Sequence, residues 1–414
     1  MFYKLFLLTL VCLVSVCNGE VDTLDFSNSD LESIILEALK NNETLSSDFS
    51  NATDEVCKPL ESVKPDFNRP GQSISETKCL QYMWEVKNLK NQDKADEDCR
   101  VYLISQIKRG VIPEILIFVP PSVIFGGRDA KPAEFPHMGA IGWRAKDEPK
   151  WHFKCGGTLI SDKFVVTAAH CTWLSLHNHH DVSANAPEVV RFGVENIQDD
   201  EFNLYGKPID VIIRNIIRHP RYRPPRKYFD IALLELDSKV KFSLQVHPAC
   251  LWTKPSTREL GTRSILTGWG LTEHGKPSTV LQVAAVDVLN TKKCNSLLHS
   301  SWNRNWHGFA KHQLCAGNLT GNVDTCQGDS GGPIQVKIES GSNSSINMVV
   351  GVTSFGINCG QKNRPGVYTK VSNFIKWIEN NVWNKNVTET KEIKVMPSLF
   401  KRKNVTLSGG RVTF

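Results

Sequence analysis

The stretch Thr325-Cys326-Gln327-Gly328-Asp329-Ser330-Gly331-Gly332-Pro333 limits what this chain can be more than any other. One serine is set among glycines at 328, 331 and 332. Glycine lets the backbone turn sharply and approach a bound group closely. The N–H groups of Gly328 and Ser330 can then point at one developing oxyanion, which lowers an acyl-transfer barrier by about 3 kcal/mol or more. Serine alone is a weak nucleophile, so the motif carries chemistry only if a base and an orienting acid lie elsewhere.

Both residue types stand upstream, in Val165-Val166-Thr167-Ala168-Ala169-His170-Cys171 and in Asp230-Ile231-Ala232-Leu233-Leu234. Each has an ordinary structural alternative. A histidine after an apolar run is usually a core residue, an aspartate before one a turn residue, and a glycine-flanked serine a loop residue. The order His170, Asp230, Ser330, with cysteines beside two of the motifs, makes chance a poor account. On these motifs the chain resembles the chymotrypsin/trypsin-like serine proteases over about residues 124–383.

A length of 414 residues leads one to expect more than one domain. Residues 1–19 carry Lys4, then an apolar run from Leu5 to Val16, and end on Asn18-Gly19. They read as a signal peptide, which gives a secreted, extracellular chain. No later segment has an uninterrupted apolar run of membrane-spanning length, so no membrane span is expected. Ten of the twelve cysteines lie beyond residue 19, an even number that implies a disulfide framework. Glycosylation sequons occur at Asn42, Asn51, Asn318, Asn343, Asn386 and Asn404. The net charge of +6 is unevenly spread: residues 20–55 hold ten acids and one base, and residues 384–414 seven bases and two acids. Both ends read as solvated tails, the second basic and disordered. No nucleic-acid partner is expected.

Residues 20–123 form a mostly irregular pro-region, in which 76–91 look helical and 111–123 extended around Pro113, Pro120 and Pro121. From Ile124 the texture becomes β-rich, with runs at 157–160, 163–167, 209–213, 231–236, 264–268, 281–289, 348–353 and 367–370. Phe374, Ile378 and Val382 recur every four residues and fit a terminal helix whose apolar stripe packs on the second half of the domain. The pattern is all-β, and the resemblance implies two six-stranded antiparallel barrels with a C-terminal α-helix. The domain reading is 1–19 signal, 20–123 pro-region, 124–383 protease domain and 384–414 tail.

The resemblance implies roles residue by residue. Ser330 is the nucleophile, His170 the base, Asp230 the residue that orients it, and Gly328 and Ser330 form the oxyanion hole. Asp324 lies where the family places the floor of the primary pocket, and a carboxylate there pairs with a substrate Arg or Lys. Gly356 and Gly366 leave its walls open, and Ser354-Phe355-Gly356 offers an extended backbone edge to substrate. Residues 124–127 read Ile-Phe-Gly-Gly, where a cut at Val123–Ile124 frees an amine that pairs with Asp329. Val123 departs from the usual Arg or Lys, which points to an activating protease of non-tryptic specificity. Pro365 replaces the aromatic residue of sodium-activated members, and Val194 stands where a first calcium ligand belongs. No metal and no cofactor are expected.

The family pairs Cys155 with Cys171, Cys294 with Cys315, and Cys326 with Cys359. Cys250 is then left over in the protease domain and pairs with Cys57, Cys79 or Cys99, Cys79 being preferred. Residues 73–82, Ser-Ile-Ser-Glu-Thr-Lys-Cys-Leu-Gln-Tyr, resemble the linker of snake-type arthropod clip-domain proteases, yet only Cys57 precedes it, so the clip domain is missing or degenerate. The expected function is a secreted zymogen of a serine endopeptidase that cleaves after Arg or Lys in an extracellular cascade, immune or developmental. Its expected partners are a protein substrate such as another zymogen, an activating protease and a serpin-type inhibitor. The alternatives are a digestive, salivary or venom trypsin, and a non-catalytic clip-type cofactor homologue.

Overall fold

The computed structural model describes residues 57–108, 128–198, 208–257, 259, 263–270, 278–319, 329–340, 344–356 and 362–384. These residues fall into two compact units: 57–62 with 91–108, and 63–90 with 128–384. In the first unit a disulfide joins Cys57 to Cys99, and the Leu60 N–H donates to Gln92 Oε1 at 3.1 Å.

The second unit contains two barrels. Strands β1 (Met138–Arg144), β2 (Trp151–Leu159), β3 (Phe164–Thr167), β4 (Val189–Phe192), β5 (Ile209–Arg218) and β6 (Ala232–Leu236) close in the order β1-β2-β3-β6-β5-β4. Branched and aromatic residues fit these pleated surfaces. In β5 the alternation is plain, with Val211, Ile213 and Asn215 inside and Ile212 and Arg214 outside. The core of this barrel is filled by Ile141, Trp143, Leu159, Val166, Phe192 and Leu234, among others.

A two-residue strand β7 (Cys250–Leu251) follows, then β8 (Arg263–Gly268), β9 (Gln282–Leu289), β10 (Gln313–Gly317), β11 (Pro333–Ser340), β12 (Ser344–Phe355) and β13 (Gly366–Lys370). The sheet runs β11-β8-β9-β10-β13-β12-β7, and β11 pairs with β12 to close six of these strands into the second barrel. β7 adds outside the closure, parallel to β12 at Met348 and Val349. The expectation of two six-stranded barrels is borne out, with β7 as an addition.

Helix α1 (Ile74–Lys108) starts at a capping box. Ser73 Oγ accepts from the Glu76 N–H at 3.2 Å, and Glu76 Oε2 accepts from the Ser73 N–H at 2.9 Å. It continues well past the helical stretch expected at 76–91. Ser75, Cys79, Tyr82 and Val86 form its buried stripe. That stripe is fixed by the Cys79–Cys250 disulfide, by Tyr82 Oη donating to the Ile160 carbonyl at 3.0 Å, and by the Ser75 N–H donating to Glu379 Oε1 at 2.8 Å. Helix α2 (Thr291–Leu297) is capped by Asn290, and α3 (Ile375–Val382) closes the domain. The α3 stripe of Ile375, Ile378 and Val382, with Phe374, packs into the core of the first barrel together with Val349 and Val352 of β12, so it serves both barrels and not the second alone.

Candidate active site

Three segments at barrel edges present the motif residues. His170 sits on a short 3-10 turn, Ala169–Thr172, directly after β3. Asp230 stands just before β6, and Ser330 just before β11. The two barrels meet at the serine: the Gly156 N–H of β2 donates to the Ser330 carbonyl at 2.9 Å. The turn is held by the Gly332 N–H to the Asp329 carbonyl and by reciprocal bonds of Gly331 and Gly332 with Thr353, all at 2.9 Å. Gly331 has φ +81°, and a Cβ there would lie 2.1 Å from Thr167 Oγ1 and 2.5 Å from the Gly156 carbonyl oxygen. Only glycine fits that position.

Asp230 is 1 % exposed, and both its carboxylate oxygens and its carbonyl accept hydrogen bonds. Its Oδ1 accepts the His170 backbone N–H at 2.9 Å, and its Oδ2 faces His170 Nδ1 at 2.8 Å. Ser354 Oγ donates to the same Oδ2 at 2.6 Å, and Thr369 Oγ1 donates to the Asp230 carbonyl at 2.7 Å. Burial works to raise the Asp230 carboxyl, but the facing imidazole and these hydrogen bonds hold it below the usual carboxylate range. An ionised carboxylate at Nδ1 fixes the proton there, which leaves the Nε2 lone pair free to accept one.

The preceding residue is unusual. Phe229 has φ +57°, a left-handed conformation that costs a bulky residue about 1–2 kcal/mol. Its ring stacks with His219, 5.4 Å away, and with His312, 4.0 Å away, and its N–H donates to His312 Nε2 at 3.2 Å. These contacts hold the turn that presents Asp230. The Cys155–Cys171 disulfide braces the His170 turn from the other side. Cys155, His170 and Cys171 have metal-ligand spacing, but both sulfurs are spent in one disulfide and offer no thiolate.

His170 also lines a cavity of about 830 Å³ with Trp173, Tyr222, Pro224, Pro225 and Lys227. Trp173 is 57 % exposed, which is unusual for so large an apolar ring. This aromatic and proline wall is a feature that the motif reading passes over. So is the Ser354 hydroxyl. Ser354 is expected to offer its backbone to substrate, and its side chain turns inward to Asp230. The ladder between β12 and β13 shifts register between Thr353 and Phe355, and such a bulge re-aims the residue it contains.

Of the other motif residues, Gly366 opens β13 and is buried, and Gly356 is exposed after β12. Asp329 Oδ1 accepts the Gly270 N–H at 3.0 Å. Cys294 is joined to Cys315, and Cys250 to Cys79. Asp324, Cys326, Gly328, Cys359, Val123 and Ile124 lie outside the described residues, as do all the sequons except Asn318.

Two barrels with a histidine, a buried aspartate and a glycine-held serine at their shared edge define a chymotrypsin-like serine endopeptidase. The chain belongs to the trypsin family, whose model, described as Trypsin, matches residues 124–378. Among its relatives is Serine protease snk of Drosophila melanogaster, 37 % identical over 331 residues, which cover 78 % of this chain and 67 % of that protein. Phenoloxidase-activating factor 1 of Holotrichia diomphalia is 36 % identical over 269 residues, 63 % of this chain and 70 % of the relative. The Clotting factor G beta subunit of Tachypleus tridentatus is 31 % identical over 297 residues, 70 % and 89 % of the two chains.

Proposed function

We propose that this chain is the secreted zymogen of an endopeptidase that cleaves after Arg or Lys within an extracellular proteolytic cascade, and that a cut at Val123–Ile124 switches it on. The observation that carries the reading is the buried Asp230 facing His170 Nδ1 at 2.8 Å, beside the loop of Ser330. In this reading Ser330 Oγ attacks the scissile carbonyl as His170 Nε2 takes its proton. The N–H groups of Gly328 and Ser330 receive the oxyanion, and His170 then returns the proton to the leaving amine. Asp230 stabilises the imidazolium formed on the way. Asp324 selects the basic side chain.

The cascade role is supported by the relatives' names, which include a phenoloxidase-activating factor and a clotting-factor subunit. The substrate is then a protein such as another zymogen, with a serpin-type inhibitor. Asp329, half-buried directly before the nucleophile, is the receiving carboxylate for the Ile124 amine in this reading, and its Oδ1 already accepts the Gly270 N–H.

The test is activation with sequencing of the new N-terminus. Wild type treated with trypsin is expected to stay inactive on a chromogenic Arg substrate, while Val123→Arg gains activity with Ile124 at its new terminus. Equal activation of the two proteins would remove the claim about the activator. No activity after a verified cut at Ile124 would remove the enzyme reading in favour of a binding homologue.

A further inference from the structure

Beside the Phe229 turn lies a second open cavity, of about 630 Å³, which shares no lining residue with the one that His170 lines. Its size falls in the range of small-ligand sites, roughly 300–1,000 Å³. Four permanent cations line it, Arg221, Arg223, Arg226 and Lys311, and its lining contains no Asp or Glu. Among the described residues, none of the four forms an ion pair.

Two of these guanidinium groups are held in place. Arg221 lies over the Phe229 ring, 4.1 Å from its centroid. Arg223 Nη1 donates to the carbonyls of Pro220 and Tyr222 at 2.7 and 2.8 Å. The field of this cluster reaches its neighbours: burial first, and then the Arg221 charge, push both His219 and His312 down to about 4. At neutral pH the imidazoles are thus uncharged walls, and the positive charge belongs to the arginines and the lysine.

Like charges gathered without partners repel one another and favour an anion in their midst. Fixed guanidinium forks match the paired oxygens of a tetrahedral oxyanion. The lining segments lie outside the strands: β5 ends at Arg218, β10 begins at Gln313, and Asn373 belongs to a 3-10 turn. An acidic peptide would therefore find no strand edge to pair with. Tyr228 and His307, with ring centroids 5.4 Å apart, offer flat surface for a sugar ring instead.

We propose that this cavity is a second, non-catalytic site that binds sulfate groups of a sulfated polysaccharide through Arg221, Arg223, Arg226 and Lys311. The choice of polysaccharide rests on the extracellular reading above, and the binding itself does not depend on the reaction.

The test uses the full chain, because the basic stretch at 384–414 could bind the same polyanion. A heparin fragment of defined length is titrated calorimetrically at two salt concentrations, with unsulfated dextran and poly-glutamate as comparison arms. One variant carries Arg223→Ala, Arg226→Ala and Lys311→Ala; another carries Lys401→Gln, Arg402→Gln and Lys403→Gln. The cavity variant should bind heparin about tenfold more weakly or worse, with a shallower salt dependence, while the C-terminal variant stays within about twofold of wild type. Hydrolysis of a small chromogenic substrate should be unchanged in both, which separates a failure of this site from a failure of the protease reading. Lys311→Glu, at an exposed position, replaces the triple variant if that one does not fold. Loss of heparin binding in the C-terminal variant but not in the cavity variant would overturn the proposal. So would poly-glutamate binding as tightly as heparin and weakening with it.

Discussion

At the scale of single residues, the site turns on how a carboxylate is kept ionised where water does not reach it. Asp230 is buried, and three donors converge on its two oxygens. The Ser354 hydroxyl is the one that can be removed without touching the reacting groups. A hydrogen bond to a charged acceptor is worth about 1.5–3 kcal/mol. Ser354→Ala should therefore lower kcat/KM by about tenfold or more, mainly through kcat, because the loss is felt in orienting the imidazole and not in holding substrate. Steady-state kinetics on the activated enzyme would show it, and an unchanged kcat would contradict the role. The order His170, Asp230, Ser330 is open to a reader of the sequence because the motifs are local. Ser354 as a partner of Asp230 is not, since they are 124 positions apart and the serine's direction depends on a bulge.

Among the elements, α1 shows how a helix that precedes the barrels in the chain can be tied to one of them. Its first turns bury one stripe, and Cys79 joins that stripe to β7. The Cys79–Cys250 bridge spans 171 positions, so its removal frees a long loop in the unfolded chain. Cys79→Ser combined with Cys250→Ser should destabilise the domain by about 2–5 kcal/mol, read as a lower midpoint in urea. A midpoint unmoved by the double change would mean that the apolar stripe alone holds the helix. The start of α1 is legible in Ser73 and Glu76, whereas its extension to Lys108 runs through charged residues with no apolar periodicity to announce it. Strands show the same division. β3, β6 and β13 read as β because they are runs of branched and apolar residues. β1 contains Gly139 and Gly142, which look like turn residues; in fact a Cβ at either would come within 2.7 Å of Val190 or Val189 of β4. β7 is two residues long, too short to carry a period.

For the molecule as a whole, four histidines set the response to acid. Burial pushes His137 down to about 3, and His219, His247 and His312 to about 4. Between about pH 6.5 and pH 4 the unfolded chain therefore holds protons that the folded chain does not. Stability must fall as pH drops through that window. Asp230 acts in the same direction lower down: its depressed carboxyl stabilises the fold above the ordinary carboxylate range, and that contribution is lost as pH falls through its folded value. Thermal midpoints measured from pH 7 to pH 4 should decline steadily, and His247→Gln should flatten the decline. A constant midpoint across the window would contradict the burial of these rings. The β-rich texture announces an all-β domain and the resemblance carried by the motifs implies its two barrels, but this acid response is not legible there, because it depends on which histidines the fold encloses. Covalently, the molecule has one further property. A cut anywhere in residues 109–127 would sever the backbone yet leave α1 attached to β7 through sulfur. The cut protein would migrate as one band without reductant and as two bands with it, so a gel-filtration column could not tell the intact chain from the nicked one.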